Sequence, residues 1–296
     1  MLRRLYLTVF IIICFFLGDR ILTNVGLYLT KFSSLPEARL YSGKLDSKIL
    51  IVGNSRAYRH IHERDWSEIL NKSVSNISTP GAPMIHFEAL LDDYVEIYGW
   101  PEKIIIELDC VFSDTEIISS YKFLTHFSNN YSFLLKEFDI KTFYFSKIIS
   151  LYKLNSNIYL NALHKILKKY EQPKLYGELS NTQKNEFKES KTINKFLIKE
   201  FNFESVKNIV NKFSNNSDLI FIISPYHPHF IKYYRQEMVE SIRRLRSVIK
   251  NKDIKFLDYS REIFEENFFN DLNHLNYRGV DELNRRLLGN NVFENL

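Results

Sequence analysis

The stretch from Lys48 to His60 reads KILIVGNSRAYRH, and its first five residues decide the fold class. Lys48 to Val52 is short, apolar and β-branched, the pattern of a strand buried on both faces. Gly53 and Asn54 interrupt it, and both residue types tolerate the positive φ of a sharp turn. Ser55 follows at once, so its hydroxyl belongs at the carboxyl end of a strand, where α/β proteins place their ligands. Such a serine is either a nucleophile or the N-cap of the next helix. The nucleophile reading requires a base, an orienting carboxylate and oxyanion donors elsewhere in the chain.

Working outward from that turn, Asp65 to Leu70 fits a short helix and Val74 to Ser78 a second strand. Thr79-Pro80-Gly81-Ala82-Pro83 is a turn. Met84 to Tyr98 carries apolar residues at helical spacing, and Trp100-Pro101 closes that helix. Lys103 to Leu108 (KIIIEL) is another strongly apolar strand, finishing at Asp109. Strands of this doubly buried kind, alternating with helices, predict a parallel sheet covered on both sides.

From Val111 to about Lys199 the strand rhythm stops. This stretch is rich in Phe, Tyr, Lys and Asn and reads as a mostly helical insertion, with loops near Gln172-Pro173 and Ser180-Asn181. It either packs on the sheet or forms a lid over the site. The α/β pattern then returns, with a helix at Phe203–Phe213 and a strand at Leu219–Ser224. A loop at Pro225–His229 leads into a long basic helix, Phe230–Lys250. Ile254–Leu257 is a last strand, Arg261–Asn267 a short helix and Asn276–Leu288 the final helix. The expected fold is a flavodoxin-like, doubly wound α/β domain over 48–296, with a helical insertion at about 111–200.

The N-terminus differs in kind. Arg3 and Arg4 precede an apolar run from Leu5 to Leu17, and no small-x-small cleavage site follows. An uncleaved signal anchor over 1–31 is expected, with a linker over 32–47; a cleaved signal peptide and a buried amphipathic helix are the alternatives. The two arginines would hold the N-terminus in the cytoplasm and place the folded domain outside. The 296 residues carry a formal net charge of +5, without the arginine-rich, aromatic-interleaved blocks of a nucleic-acid binder. Two cysteines, Cys14 and Cys110, exclude a disulfide framework, and no Cys/His spacing suggests a metal site or another cofactor.

Asp271 and His274 sit three apart in a polar loop before the last helix. That spacing can bring the carboxylate against imidazole Nδ1 and leave Nε2 free for Ser55. An isolated D-x-x-H often only caps a helix; its place after the last strand gives it weight. His227 and His229 follow another strand, so either could meet substrate or replace His274, unless both are solvated turn residues.

Together, G-N-S at Gly53–Ser55, the glycine turn at Gly81 and D-x-x-H at Asp271–His274 resemble the SGNH/GDSL hydrolase superfamily. The likeness lies nearest its membrane-anchored branch, which handles acyl groups on envelope polymers, as the alginate O-acetylation and teichoic acid D-alanyl-transfer proteins do. The resemblance covers 48–109 and 203–288, and not the insertion. It implies Ser55 as nucleophile, His274 as base, Asp271 as its orienting acid, and the N–H groups of Ser55 and Gly81 as oxyanion donors. It leaves Asn54, Arg56, His227 and His229 as candidate substrate-binding residues.

Two positions depart from the family pattern. Asn54 replaces the usual first-block aspartate, and the strand end Glu107-Leu108-Asp109-Cys110 lacks the asparagine that donates to the oxyanion. Arg56 or Asn76 could substitute. The implied function is an extracytoplasmic serine esterase or O-acyltransferase acting on an envelope polysaccharide, with an acyl-delivery protein in the membrane as a candidate partner. The alternative is a catalytically degenerate glycan-binding or scaffolding subunit.

Overall fold

The computed structural model describes residues 1–31, 36–154, 197–249, 254–260, 262 and 265–289. The chain divides into two compact units. One joins Met1–Leu45 to Thr115–Tyr170, and the other joins Asp46–Asp114 to Glu171–Leu296.

The second unit is built on five parallel strands, β1 (Ile49–Val52), β2 (Val74–Asn76), β3 (Lys103–Glu107), β4 (Asp218–Ile223) and β5 (Lys255–Asp258), in the order β2-β1-β3-β4-β5. This is the flavodoxin-like order, whose switch point lies between β1 and β3. Ile51 pairs with both Asn76 and Ile105, and Ile106 with Phe221. All four residues of β1 and all five of β3 are buried, as doubly covered strands require.

Helices α3 (Ser55–His60), α4 (Glu63–Leu70) and α5 (Met84–Tyr98) alternate with the first three strands. The helices α8 (Glu200–Phe213), α9 (Pro228–Ile249) and α10 (Tyr277–Leu288) belong to the second half of the sheet. On one face, Ile49, Ile51, Ile105, Ile220 and Ile222 pack with Ala57, Trp66, Val280, Leu283 and Leu287 from α3, α4 and α10. The alternate residues Leu50, Val52, Ile104 and Ile106 are equally buried, which places covering structure on the other face too. Trp66 Nε1 donates to Asn284 Oδ1 at 2.7 Å, and Asn284 Nδ2 donates to the His60 carbonyl at 2.9 Å. These bonds fix α4 and α10 to the end of α3.

One expectation needs correction here. The short helix expected at Arg261–Asn267 is, among the described residues, a 3₁₀ turn at Glu266–Phe268. Within 32–47, expected as a linker, lies a short helix, α2 (Pro36–Leu40), with Ala38 and Leu40 wholly buried.

The first unit begins with α1 (Leu2–Lys31), of which Leu2–Thr30 is long and apolar enough to cross a membrane. It also contains 3₁₀ turns at Thr115–His126 and Ser150–Lys153, with α6 (Asn129–Phe138) and α7 (Ile140–Ile148) between them. The insertion is thus helical where described. The loops expected near Gln172-Pro173 and Ser180-Asn181 lie outside the described residues.

Candidate active site

The turn after β1 settles which residue caps α3. Asn54 has extended backbone (φ −82°, ψ −151°), and its side-chain oxygen accepts the Arg56 N–H at 3.0 Å. Asn54 is therefore the N-cap, and Ser55 is the first helical residue with its hydroxyl released from that duty. Gly53 is required by crowding. A Cβ there would stand 2.8 Å from the Cβ atoms of both Ala57 and Glu107. Only glycine lets β1 turn this close to β3.

The loop before α10 is closed by its own backbone. Phe269 bridges Leu275, and Asn270 N–H donates to the His274 carbonyl at 2.8 Å. Asn276 caps α10 by accepting the Gly279 N–H at 3.2 Å. Within this loop Asp271 Oδ1 accepts the N–H groups of Asn273 and His274, both at 2.8 Å. The Asp271 carboxylate also meets His274 Nδ1 at 2.8 and 2.9 Å. Burial raises the Asp271 carboxyl, but its bond to His274 and the backbone donors outweigh that and bring it below the usual range.

His274 Nε2 lies 2.8 Å from Ser55 Oγ. With Nδ1–H given to Asp271, Nε2 carries the lone pair that accepts the serine hydroxyl. Residues 219 positions apart are brought within hydrogen-bond range, and Ser55 and His274 both keep some solvent access.

Beneath this relay lies a buried ionic network. Arg56 is fully buried. Its guanidinium donates to the Pro225 carbonyl at 2.6 Å, sits 3.4 Å from Asp109 Oδ1 and 3.7 Å from Glu107 Oε1, and stacks 3.8 Å from the Tyr226 ring centroid. Asn54 Nδ2 donates to Asp109 Oδ2 at 2.7 Å, and the Tyr226 hydroxyl donates to Asp109 Oδ1. Glu107 accepts the N–H groups of Asp109 and Ser224 at 3.0 and 3.2 Å. Burial lifts the Glu107 carboxyl to about 7 despite the adjacent arginine.

This network corrects the substitutes considered for the missing oxyanion donor. Arg56 is committed below the site. Asn76 Nδ2 donates to the Ala57 and Ile61 carbonyls at 3.0 and 2.8 Å. Asn54 and Arg56, expected as substrate-binding residues, are buried and join the ends of β1, β3 and β4 through Asp109, Glu107 and the Pro225 carbonyl.

Gly81 lies in a turn with φ 77°, and Thr79 N–H donates to the Gly53 carbonyl at 2.9 Å. The turn is thereby anchored two residues before Ser55. His227 is buried: its N–H donates to the Leu272 carbonyl at 3.2 Å, its Nδ1 accepts the His229 N–H at 3.1 Å, and its ring meets Phe269. It supports the Asp271 loop from behind, while His274 is the histidine within hydrogen-bond range of Ser55 Oγ. Among the described residues, no group of three or more His, Cys, Asp or Glu could hold a metal ion.

A family model described as DltD protein matches residues 172–287. The match includes β4, β5 and the Asp271–His274 loop, stops short of Ser55, and spans fewer than half of the 296 residues. No curated protein matches. A solved Streptococcus pneumonia structure, described by provisional assignment as a platelet activating factor, aligns over 96% of this chain and 99% of its own at 11% identity and TM-score 0.38.

Sequence reading overlooked His60. This buried histidine ends α3, and its Nε2 accepts the Leu275 N–H at 3.1 Å. The roles of Glu107, Asp109 and Tyr226 were also overlooked. Glu107 carried a usable signal, because a carboxylate closing a strand whose Ile104–Ile106 are apolar and buried needs a cationic partner.

Proposed function

We propose that this chain is a membrane-anchored, extracytoplasmic serine esterase or O-acyltransferase acting on ester-linked acyl groups of a cell-envelope polysaccharide. The observation that carries this reading is the 2.8 Å approach of His274 Nε2 to Ser55 Oγ, with Asp271 on Nδ1. Ser55 Oγ attacks the acyl carbonyl carbon while its proton passes to His274 Nε2. Asp271 holds the tautomer and stabilises the imidazolium. The oxyanion is received by the N–H groups of Ser55 and Gly81. Collapse releases the donor alcohol, which takes the proton from His274, and leaves an acyl group on Ser55. A sugar hydroxyl or water then attacks that ester with His274 again as base.

The family match to residues 172–287 and the apolar length of α1 support placing the reaction at the envelope. A membrane protein delivering activated acyl groups is the expected partner of the transferase form. The test is intact-mass analysis of the full chain with p-nitrophenyl acetate, run beside Ser55→Ala and His274→Ala. A transient acyl adduct that is lost in Ser55→Ala supports the mechanism. An adduct that survives in Ser55→Ala overturns it.

The commitment of Arg56 and Asn76 elsewhere favours a second reading, a glycan-binding subunit that has lost a full oxyanion hole. Polysaccharide binding that persists in Ser55→Ala and His274→Ala, with no adduct in the wild type, would select it.

A further inference from the structure

The helix α7, Ile140–Ile148, is amphipathic in the reverse sense for a protein surface in water. Its polar residues Thr142 and Ser146 are 8% and 1% exposed, whereas Tyr144, Phe145 and Ile148 are 53%, 56% and 58% exposed. The apolar face continues past the helix through the exposed Leu151 and Tyr152. Soluble surfaces seldom gather large apolar side chains this way unless something covers them.

The covering surface is indicated by α1. Asp19 and Arg20, adjacent in α1, grip the corner between α7 and the Ser150–Lys153 turn. The buried Asp19 carboxylate accepts the N–H groups of Ser150 and Leu151 at 2.9 and 2.8 Å. Arg20 donates to the last carbonyls of α7, those of Lys147 and Ile148, at 3.2 and 3.4 Å. At about 1.5 Å per residue, a helix starting at Leu2 has covered a hydrocarbon core of about 30 Å near Leu22. The corner held by Asp19 and Arg20 therefore falls where α1 would leave the hydrocarbon.

We propose that the exposed face of α7 and the following turn lies in the headgroup–acyl boundary of the membrane crossed by α1. The inference rests on the reading that α1 crosses a membrane. Tyr144 and Tyr152 are residues of the type that favours this boundary, and Phe145 and Ile148 enter the acyl region. The exposed Lys141 and Lys147 on the same helix suit anionic headgroups. The first unit then has a second attachment to the lipid besides α1, and its tilt at the membrane is fixed.

The experiment adds one tryptophan at a time to the full chain, whose native Trp66 and Trp100 supply the background emission, reconstituted in phosphatidylcholine–phosphatidylglycerol vesicles. Phe145→Trp and Phe10→Trp in α1 are compared with wild type, using lipids brominated at shallow or deep acyl positions. The expected result is blue-shifted emission from Phe145→Trp that is lost to shallow bromine. Phe10→Trp should be quenched by deep bromine. If Phe10→Trp is quenched while Phe145→Trp stays water-exposed, the inference fails and the anchor stands. If neither is quenched, the anchor reading fails and takes the inference with it.

Discussion

His60 Nε2 accepts the backbone N–H of Leu275 at 3.1 Å, so the helix that starts at Ser55 holds, by its last residue, the backbone just after His274. Burial first, and the Arg56 charge next, push the His60 imidazole well below its ordinary range. It therefore stays neutral with its Nε2 lone pair available. One short helix supplies the proposed nucleophile at one end and fixes the base at the other.

Replacing that acceptor should loosen the base without removing it. His60→Leu leaves a buried N–H unsatisfied, at a cost of about 1–3 kcal/mol, and a displacement of His274 by about 1 Å can cost on the order of 10²-fold in acylation rate. His60→Gln, which keeps an acceptor, should recover part of that rate. Burst kinetics with p-nitrophenyl acetate, set beside urea unfolding of each variant, separate the two effects. A purely structural His60 would lower stability and leave the burst rate per folded molecule unchanged.

Asp271→Asn probes the tautomer directly. The asparagine oxygen can still accept the Asn273 and His274 N–H groups that now reach Asp271 at 2.8 Å, so the thermal midpoint should move little. Its amide can instead donate to His274 Nδ1, which turns Nε2 into a donor facing Ser55. Acylation should fall on the order of 10³–10⁴-fold. Single-turnover labelling by a fluorophosphonate measures the loss.

The sheet and the Asp271–His274 contact were legible because both follow from local pattern, whereas the meeting of that pair with Ser55, 219 positions away, was expected from strand-end placement and family resemblance. β-branched runs such as Ile49–Val52 and Lys103–Glu107 have few alternatives to a buried strand, and the D-x-x-H spacing brings carboxylate and imidazole together within one loop. The assignment of Arg56 was not legible. Its partners come from β3, from the loop after β4 and from its own turn, and no spacing along the chain records such a meeting. The reversed face of α7 was hidden for a related reason, since periodicity marks an apolar face but not what it faces. Asn54 was misread as a residue chosen for positive φ, when its side chain serves the helix terminus.

The buried arginine should be intolerant of truncation. Arg56→Met leaves Glu107 and Asp109 without the cation that lies 3.7 and 3.4 Å from them, a loss of about 3–5 kcal/mol for a broken buried pair. Arg56→Lys should recover little, because a point charge cannot both stack on Tyr226 and reach the Pro225 carbonyl. Arg56→Met with Glu107→Gln should be less destabilised than the two losses added together. Chemical denaturation of the four proteins gives that coupling.

Acid should destabilise the α/β unit through its buried histidines. Burial holds His86 neutral, lowering it from 6.5 to about 3. Above pH 6.5 the residue is neutral both folded and unfolded and contributes no slope. Between about pH 6.5 and 3 the unfolded chain binds a proton that the folded chain refuses, so stability falls as pH falls. His60 acts in the same direction. Glu107 opposes them from about pH 7 to 4.5, because its raised carboxyl keeps a proton in the folded state that the unfolded chain has released. Stability should therefore decline gently from pH 6.5 to 4.5 and steeply below, where the histidines act without that compensation. Urea unfolding across this range gives the curve. His86→Leu should gain on the wild type as pH falls, by at most about 1.4 kcal/mol per pH unit, and Glu107→Gln should steepen the loss between pH 6.5 and 4.5. A difference between His86→Leu and wild type that stayed constant with pH would show that His86 titrates equally in both states.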